Sequence, residues 1–230
     1  MIDIHSHLLP MVDDGSVSTE LSLALLKKAE RKGVTDVVLT PHYKGKYRKT
    51  SKEIIERYKE FNKSKSLLNI NVNLHLGMEI QYSPNVLSKL KTGELITLSG
   101  TKYVLIEIGH NNLVDATEVA YEFIREGFVP IFAHVERYGH ITTKDIEEIK
   151  KLGGLIQVNA RSVVYKGTRR RRKRTRKLIR HSLVDFIASD EHCGRTNYIV
   201  KAYKYVKRHY GKQVAEKLFC ENAKKITTKG

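Results

Sequence analysis

Met1-Ile-Asp-Ile-His5-Ser-His7-Leu-Leu-Pro10-Met-Val-Asp13-Asp14-Gly15 opens the chain, and the rest is read outward from it. Met1, Ile2 and Ile4 form an apolar run that reads as a buried strand. His5 and His7 lie two apart on it, so the period-two alternation of a strand aims both imidazoles at one face. A Pro-containing turn then brings back two carboxylates, Asp13 and Asp14. Neutral nitrogens beside carboxylates suit a divalent cation. Taken alone, His-x-His fits two capped surface histidines equally well, and the remaining chain has to decide.

Further apolar strands end in the same residue types. Ser18 or Thr19 caps an amphipathic helix through about Lys32, with Leu21, Leu25, Leu26 and Ala29 on one stripe and Gly33 ending it. Val34 to Leu39 is a β-branched strand followed by Thr40-Pro41-His42. Lys44 to Lys52 is a basic connection, and Ile54 to Leu68 repeats at helical spacing. Val72 to Ile80 reads as one strand delivering Glu79 after Gly77, and Tyr103 to Ile108 carries Glu107 inside an apolar run. Buried carboxylates are costly without a cation or arginine partner. A helix over Asp115 to Glu126, a strand Val129 to His134, a helix Thr143 to Leu152 and a strand Leu155 to Asn159 follow. The strand Leu183 to Ser189 then runs into Asp190-Glu191-His192-Cys193-Gly194-Arg195, and Asn197 to Ile226 reads as helices.

This alternation predicts a parallel sheet with right-handed crossovers. With about seven strands and no glycine-rich phosphate loop, it predicts an α/β barrel, closed or nearly so, whose site lies at the carboxyl ends of the strands. The length of 230 residues is read as a single domain, 1–230. The chain has no apolar run long enough to span a membrane and no secretory leader pattern, so the expected compartment is the cytoplasm. Two cysteines, Cys193 and Cys220, fit a reducing compartment.

In order along the chain, His5-Ser-His7, Thr40-Pro41-His42, Gly77-Met-Glu79, Ile106-Glu107, Ala133-His134 and Ser189-Asp190-Glu191-His192 resemble the motifs of the polymerase and histidinol phosphatase (PHP) superfamily. Its members hold up to three metals in a distorted (β/α)7 TIM-like barrel. Val12-Asp13-Asp14-Gly15, His134-Val-Glu-Arg137-Tyr138 and the full-length layout are similar to the bacterial tyrosine-protein phosphatases of capsule and exopolysaccharide synthesis. The resemblance implies one metal on His5, His7, Glu79 and Asp190, a second on Glu79, Glu107 and His134, and a third on Asp14, His42 and His192. Glu79 would bridge, and a hydroxide held by the metals, not a side chain, would attack phosphorus. With no thiolate in this set, manganese is the expected ion, two or three per chain, with iron, zinc or magnesium as alternatives.

Arg137 and Arg195 follow His134 and His192 in the same loops, and their planar forks could grip phosphoryl oxygens; Asp13 is a further catalytic candidate without an assigned task. Neither cysteine has the phosphate loop a thiolate phosphatase needs. His75, His110, His140, His181 and His209 fall outside the strand-end pattern. The 42 Lys and Arg against 25 Asp and Glu, a formal +17, predict an acidic partner. By resemblance that partner is a phosphotyrosine protein, the tyrosine-rich tail of a membrane-bound bacterial tyrosine kinase, with peripheral contact to anionic membrane also in view and nucleic acid ranked lower. A small-molecule phosphomonoesterase or a metal-dependent nuclease on the same barrel is the alternative reading. Thr168 to His181 is unusually rich in arginine. A helix there would have Leu178, Ile179 and Leu183 to pack with, so arginine stems must help to anchor it.

Overall fold

The computed structural model describes residues 1–109, 114–164 and 168–228, so His110 lies outside the described residues. Nine parallel strand segments are found among them: β1 (Ile2–Ser6), β2 (Asp36–Leu39), β3 (His42–Tyr43), β4 (Asn73–Leu76), β5 (Glu79–Gln81), β6 (Tyr103–Glu107), β7 (Val129–Phe132), β8 (Leu155–Asn159) and β9 (Phe186–Ala188). They pair in the orders β1-β2-β4 and β3-β5-β6-β7-β8-β9. β2 and β3 are two halves of one stave interrupted at Thr40-Pro41, and β4 and β5 are two halves of another interrupted at Gly77-Met78. Backbone bonds carry the stave pair across the breaks, Gly77 N donating to Leu39 O (2.9 Å) and Glu79 N to Pro41 O (3.1 Å). The nine segments therefore make seven staves.

The ring closes between β9 and β1. Asp190 N donates to His5 O (2.9 Å) and His7 N to Glu191 O (2.8 Å), while the buried Asp3 carboxylate accepts from Ser189 N (2.9 Å). With a helix after each stave, this is a distorted (β/α)7 barrel. The crossovers include α1 (Thr19–Glu30), α2 (Ser51–Leu67), α3 (Val86–Lys91), α4 (Ala116–Arg125), α5 (Thr143–Lys151), α6 (Ala160–Val163) and α7 (Arg169–Arg180), and α8 (Ile199–Tyr210), α9 (Lys212–Glu216) and α10 (Asn222–Thr227) complete the chain. Ser18 accepts from Leu21 N to start α1, and capping boxes Thr50/Glu53 and Thr142/Asp145 start α2 and α5. Each such cap is worth about 0.5–2 kcal/mol.

The interior fills in layers. Leu98, Ala223 and Ile226 pack with Ile2, Ile4, Val38, Leu105, Ile131, Phe186 and Ala188 in one buried cluster, while a second, larger one joins the outer faces of the strands to the helices. Above the inner cluster the side chains become polar. On β1 the change requires a bulge: Ile2 and Asp3 pair with Asp36 and Val37, but Ser6 pairs with Leu39, a shift between Asp3 and Ser6. The shift reverses the alternation, so His5 and His7 face the barrel axis although Ile4 does too.

The structure alters several expected boundaries. The strand expected over Val72 to Ile80 is broken at Gly77, where an added Cβ would lie 2.5 Å from Leu98 Cδ2, so only glycine lets the stave pass this plug. The strand expected to reach His134 stops at Phe132, and His134 turns left-handed at φ 36°. The strand expected from Leu183 starts at Phe186, after Leu183 and Val184 have packed into the outer layer. α3 and α6 were not anticipated, at six and four residues too short to show a helical period. α7 buries Thr175, Leu178 and Ile179. Its arginines anchor it further: Arg174 donates to Tyr138 O and Ile141 O, and Arg176 donates to Val163 O (3.2 Å) with its guanidinium 4.3 Å from the Tyr205 ring centroid. No helix among the described residues is long and apolar enough to cross a membrane.

Candidate metal centre

Every proposed ligand lies at the carboxyl end of a stave, and the barrel brings them together. Glu79 is the hub. Fully buried, its Oε2 lies 3.4 Å from His5 Nε2, 3.3 Å from His7 Nε2 and 2.7 Å from His42 Nδ1, and its Oε1 lies 2.7 Å from His134 Nε2. Asp190 Oδ1 is 3.6 Å from His5 Nε2 and 3.5 Å from His7 Nε2. Glu107 approaches His134 Nε2 at 3.7 Å, and Asp14 lies 3.5 Å from His42 Nε2 and 3.9 Å from His192 Nε2. His134 and Asp190 both have positive φ, 36° and 52°. Strain of this kind collects where a site dictates side-chain direction.

Ring nitrogens on the outer side decide what the inner ones can do. His7 Nδ1 faces Asp13 Oδ2 at 2.7 Å, His5 Nδ1 faces Gln157 Oε1 at 3.3 Å, His134 Nδ1 faces Tyr138 Oη at 3.1 Å, and His192 Nδ1 faces Asp190 O at 3.1 Å. Asp13 Oδ2, Gln157 Oε1 and Asp190 O can only accept, so each holds an Nδ1 proton and, once the ring is neutral, leaves the Nε2 lone pair of His7, His5 and His192 for a cation; the Tyr138 hydroxyl can serve His134 in either sense. Outer partners fix the tautomers of metal-ligating histidines in this way. Two buried atoms at the hub, Glu79 Oε2 and His42 Nδ1, have no hydrogen bond. Unsatisfied buried polar atoms are costly unless something else engages them. Triads with ligand atoms within 4.8 Å of one another are His5/His7/Asp190, His7/His42/His192, Asp13/Asp14/His42 and His42/Glu79/Glu107. The buried His/Glu/Asp cluster can hold metal ions.

The charge balance fits the same chemistry. Burial opposes ionisation of Glu79, but the His5 charge, the His134 hydrogen bond and the close approach of His42 hold it well below the usual carboxylate range. Asp190 is held low by His5 and Arg137 against its burial. For His7 burial is likewise outweighed, and hydrogen bonds to Asp13 and Glu79 raise it to about 10. His192 is instead lowered to about 4, by burial and by His7, and is neutral at physiological pH.

The other candidates occupy different places. Asp13 is buried beneath His7, also accepting from His42 N (2.9 Å) and Gly15 N (2.9 Å). Arg137 pairs with Asp190 at the rim. Arg195 is exposed, and its backbone N–H donates to His192 O (3.1 Å). Sequence reading missed Gln157, which accepts from His134 N (2.7 Å), and Asn159, which donates to Asp190 Oδ2 (2.7 Å). Their signal was available: Gln157 and Asn159 are two apart at the end of β8 and so share its inner face. Lys44, read as part of a basic connection, reaches Glu107 (2.9 Å). Burial pushes the Cys220 thiol up, away from nucleophilic character. His75 pairs with Asp36 at 3.0 Å, apart from the centre.

The family model described as capsular polysaccharide synthesis, CpsB/CapC, matches residues 1–228. The chain belongs to the CpsB/CapC family. Tyrosine-protein phosphatase CpsB of Streptococcus agalactiae serotype III is 32% identical over 237 residues, covering 98% of each chain. Tyrosine-protein phosphatase YwqE of Bacillus subtilis is 29% identical over 231 residues, covering 97% of this chain and 90% of YwqE. A solved structure from the pair YwqE of Bacillus subtilis and CpsB of Streptococcus pneumoniae, described as unique metal-dependent tyrosine phosphatases, superposes with a TM-score of 0.88 at 27% identity, covering 94% and 90% of the two chains.

Proposed function

We propose that residues 1–230 form one metal-dependent protein-tyrosine phosphatase domain acting in the cytoplasm on a phosphotyrosine protein of capsule or exopolysaccharide synthesis. The observation that carries this reading is the set of three histidines, His5, His7 and His134, whose Nδ1 atoms are engaged outward while their Nε2 atoms surround Glu79. It is supported by membership of a family whose named relatives are tyrosine-protein phosphatases. The tyrosine-rich tail of a membrane-bound tyrosine kinase is the substrate we favour.

His5, His7, Glu79 and Asp190 would hold one ion, Glu79, Glu107 and His134 a second, and Asp14, His42 and His192 a third. Imidazole with carboxylate favours manganese over softer ions. Bound there, cations supply Lewis acidity that ionises water near neutral pH and neutralises phosphoryl oxygens. The chain's own groups do the rest. Asp13 and Gln157 hold the His7 and His5 protons on the outer nitrogens, Tyr138 steadies the His134 ring, and Asn159 and Arg137 fix the Asp190 carboxylate. Arg137, already paired with Asp190, and the exposed Arg195 orient the phosphoryl group. A tyrosinate leaving group has a pKa near 10, roughly that of free tyrosine, so it departs without a strong general acid. Chelation should abolish hydrolysis of a phosphotyrosine peptide and manganese should restore it. Full activity in metal-free protein rejects the mechanism.

A further inference from the structure

A groove of about 540 Å³ separates the loop carrying Met11 and Val17 from the segment carrying Lys46, Tyr47, Arg48 and Lys49. It borders the metal centre through two of its residues. Asp13, whose carboxylate holds His7, lines it, and the Tyr47 ring, also in its wall, stacks 6.4 Å from that of His42. Two kinds of surface meet there. Met11 and Val17 are 49% and 76% exposed, and with Leu21 they put three of the exposed large apolar side chains among the described residues into one short segment. Core packing does not account for them.

Met11 is moreover held in the left-handed region at φ 61°, which a residue with a Cβ adopts only under constraint. The constraint is visible: Met11 N donates to Ser16 O (2.8 Å), and Asp13 ties Gly15 and His42 to the same loop. The loop thus presents an apolar side chain on a fixed frame. Opposite it stand three cations, Lys46 over the Tyr47 ring (5.2 Å), Arg48 over the Tyr43 ring (6.0 Å), and Lys49 within electrostatic reach of Glu53. Glu53, an acid in the lining, is engaged by the Thr50 N–H and hydroxyl (both 2.8 Å), and both Asp13 oxygens accept hydrogen bonds.

We propose that this groove seats the polypeptide flanking the scissile phosphotyrosine, an acidic stretch with an apolar residue, and that Met11, Val17, Lys46, Arg48 and Lys49 decide which phosphotyrosines are hydrolysed. The inference rests on the phosphatase reading above. Because Asp13 and Tyr47 join the groove to the centre, a peptide whose phosphotyrosine sits at the centre has its flank beside the groove. Its apolar side chain covers Met11 and Val17, and its carboxylates meet the cations, an attraction that speeds capture and weakens with salt.

The test uses the manganese-loaded chain of residues 1–230, with K46E/K49E and V17S variants checked for metal content and melting temperature. Three substrates are compared: a phosphotyrosine peptide with acidic and apolar flanks, one with Gly/Ser flanks, and p-nitrophenyl phosphate. For K46E/K49E we expect kcat/KM on the acidic peptide to fall about tenfold through KM with kcat unchanged, and the other two substrates to stay within about twofold. V17S should lower the acidic-peptide value by about threefold in the same manner. In the wild type, the preference for the acidic over the neutral peptide should shrink as ionic strength rises, a readout that needs no variant. Equal losses on both peptides, no loss on either, or a preference indifferent to salt overturns the groove assignment. If the wild type hydrolyses p-nitrophenyl phosphate but neither peptide, the protein-phosphatase reading fails and takes the groove with it.

Discussion

Replacing Asp13 by Asn alters one atom beneath His7 and separates two roles for this residue. Three donors converge on its carboxylate, His7 Nδ1 (2.7 Å) and His42 N (2.9 Å) on Oδ2 and Gly15 N (2.9 Å) on Oδ1. An amide has a single acceptor oxygen. In its better orientation it keeps His7 and His42 but sets its NH2 against the Gly15 N–H, leaving a buried donor unsatisfied at about 1–3 kcal/mol. That corresponds to a loss of roughly 2–12 °C in melting temperature for a chain of this size. Removing the charge also makes His7 Nε2 a poorer ligand, and outer partners of this kind are worth about 10–100-fold in metal affinity or activity. The assay titrates chelated enzyme with manganese while following phosphopeptide hydrolysis. The midpoint for Asp13→Asn should move 10–100-fold higher, on the order given above, with kcat largely recovered at saturating metal. An unchanged midpoint with a lower kcat would show Asp13 acting in proton transfer, and an unchanged titration would refute any role at the centre.

Other expectations address the hub, the turn and the protons. Glu79→Gln keeps the side chain's shape but loses the charge that four histidines share, so metal content should fall and turnover should drop by about a hundredfold or more; normal metal content with unchanged turnover removes Glu79 from the centre. Gly15→Ala should lose metal binding outright, because its Cβ would lie 2.1 Å from His7 O and 2.3 Å from His7 Cβ, and a metal-competent variant would show that the turn yields. With no cation bound, Asp13 and Glu79 raise His7 to about 10, so at any pH below that a ligating cation must displace a proton. Metal binding at pH 7–8 should therefore acidify a weakly buffered solution, and apparent affinity should rise with pH until His7 titrates; calorimetry in buffers of different ionisation enthalpy that detects no proton release contradicts this.

By itself the sequence determined the layer plan and the chemistry at its top. Apolar runs alternating with amphipathic helices allow little besides a parallel sheet wrapped by helices. Acids and imidazoles ending those runs can be buried together only if cations or one another offset their desolvation. His5 with His7, Glu79, Glu107 and Asp190 were legible on that ground, each being a polar residue where the local pattern calls for an apolar one. Tertiary structure alone decided how these residues face one another. The bulge in β1 turns His5 and His7 to the barrel axis, and it depends on pairing with Asp36 to Leu39, a partner more than thirty residues away. The break at Gly77-Met78 follows from what fills the barrel beneath it, Leu98 in particular, which no local window contains, whereas the break at Thr40-Pro41 has a local cause in a proline without an N–H. Tautomers were only partly within reach, since Asp13 and Tyr138 lie near His7 and His134 in sequence but Gln157 meets His5 only through the fold. Arg137 makes the same point: its type and position in the sequence suggested a phosphate ligand, yet only the closed barrel brings Asp190 to its guanidinium and so fixes the direction in which that charge acts.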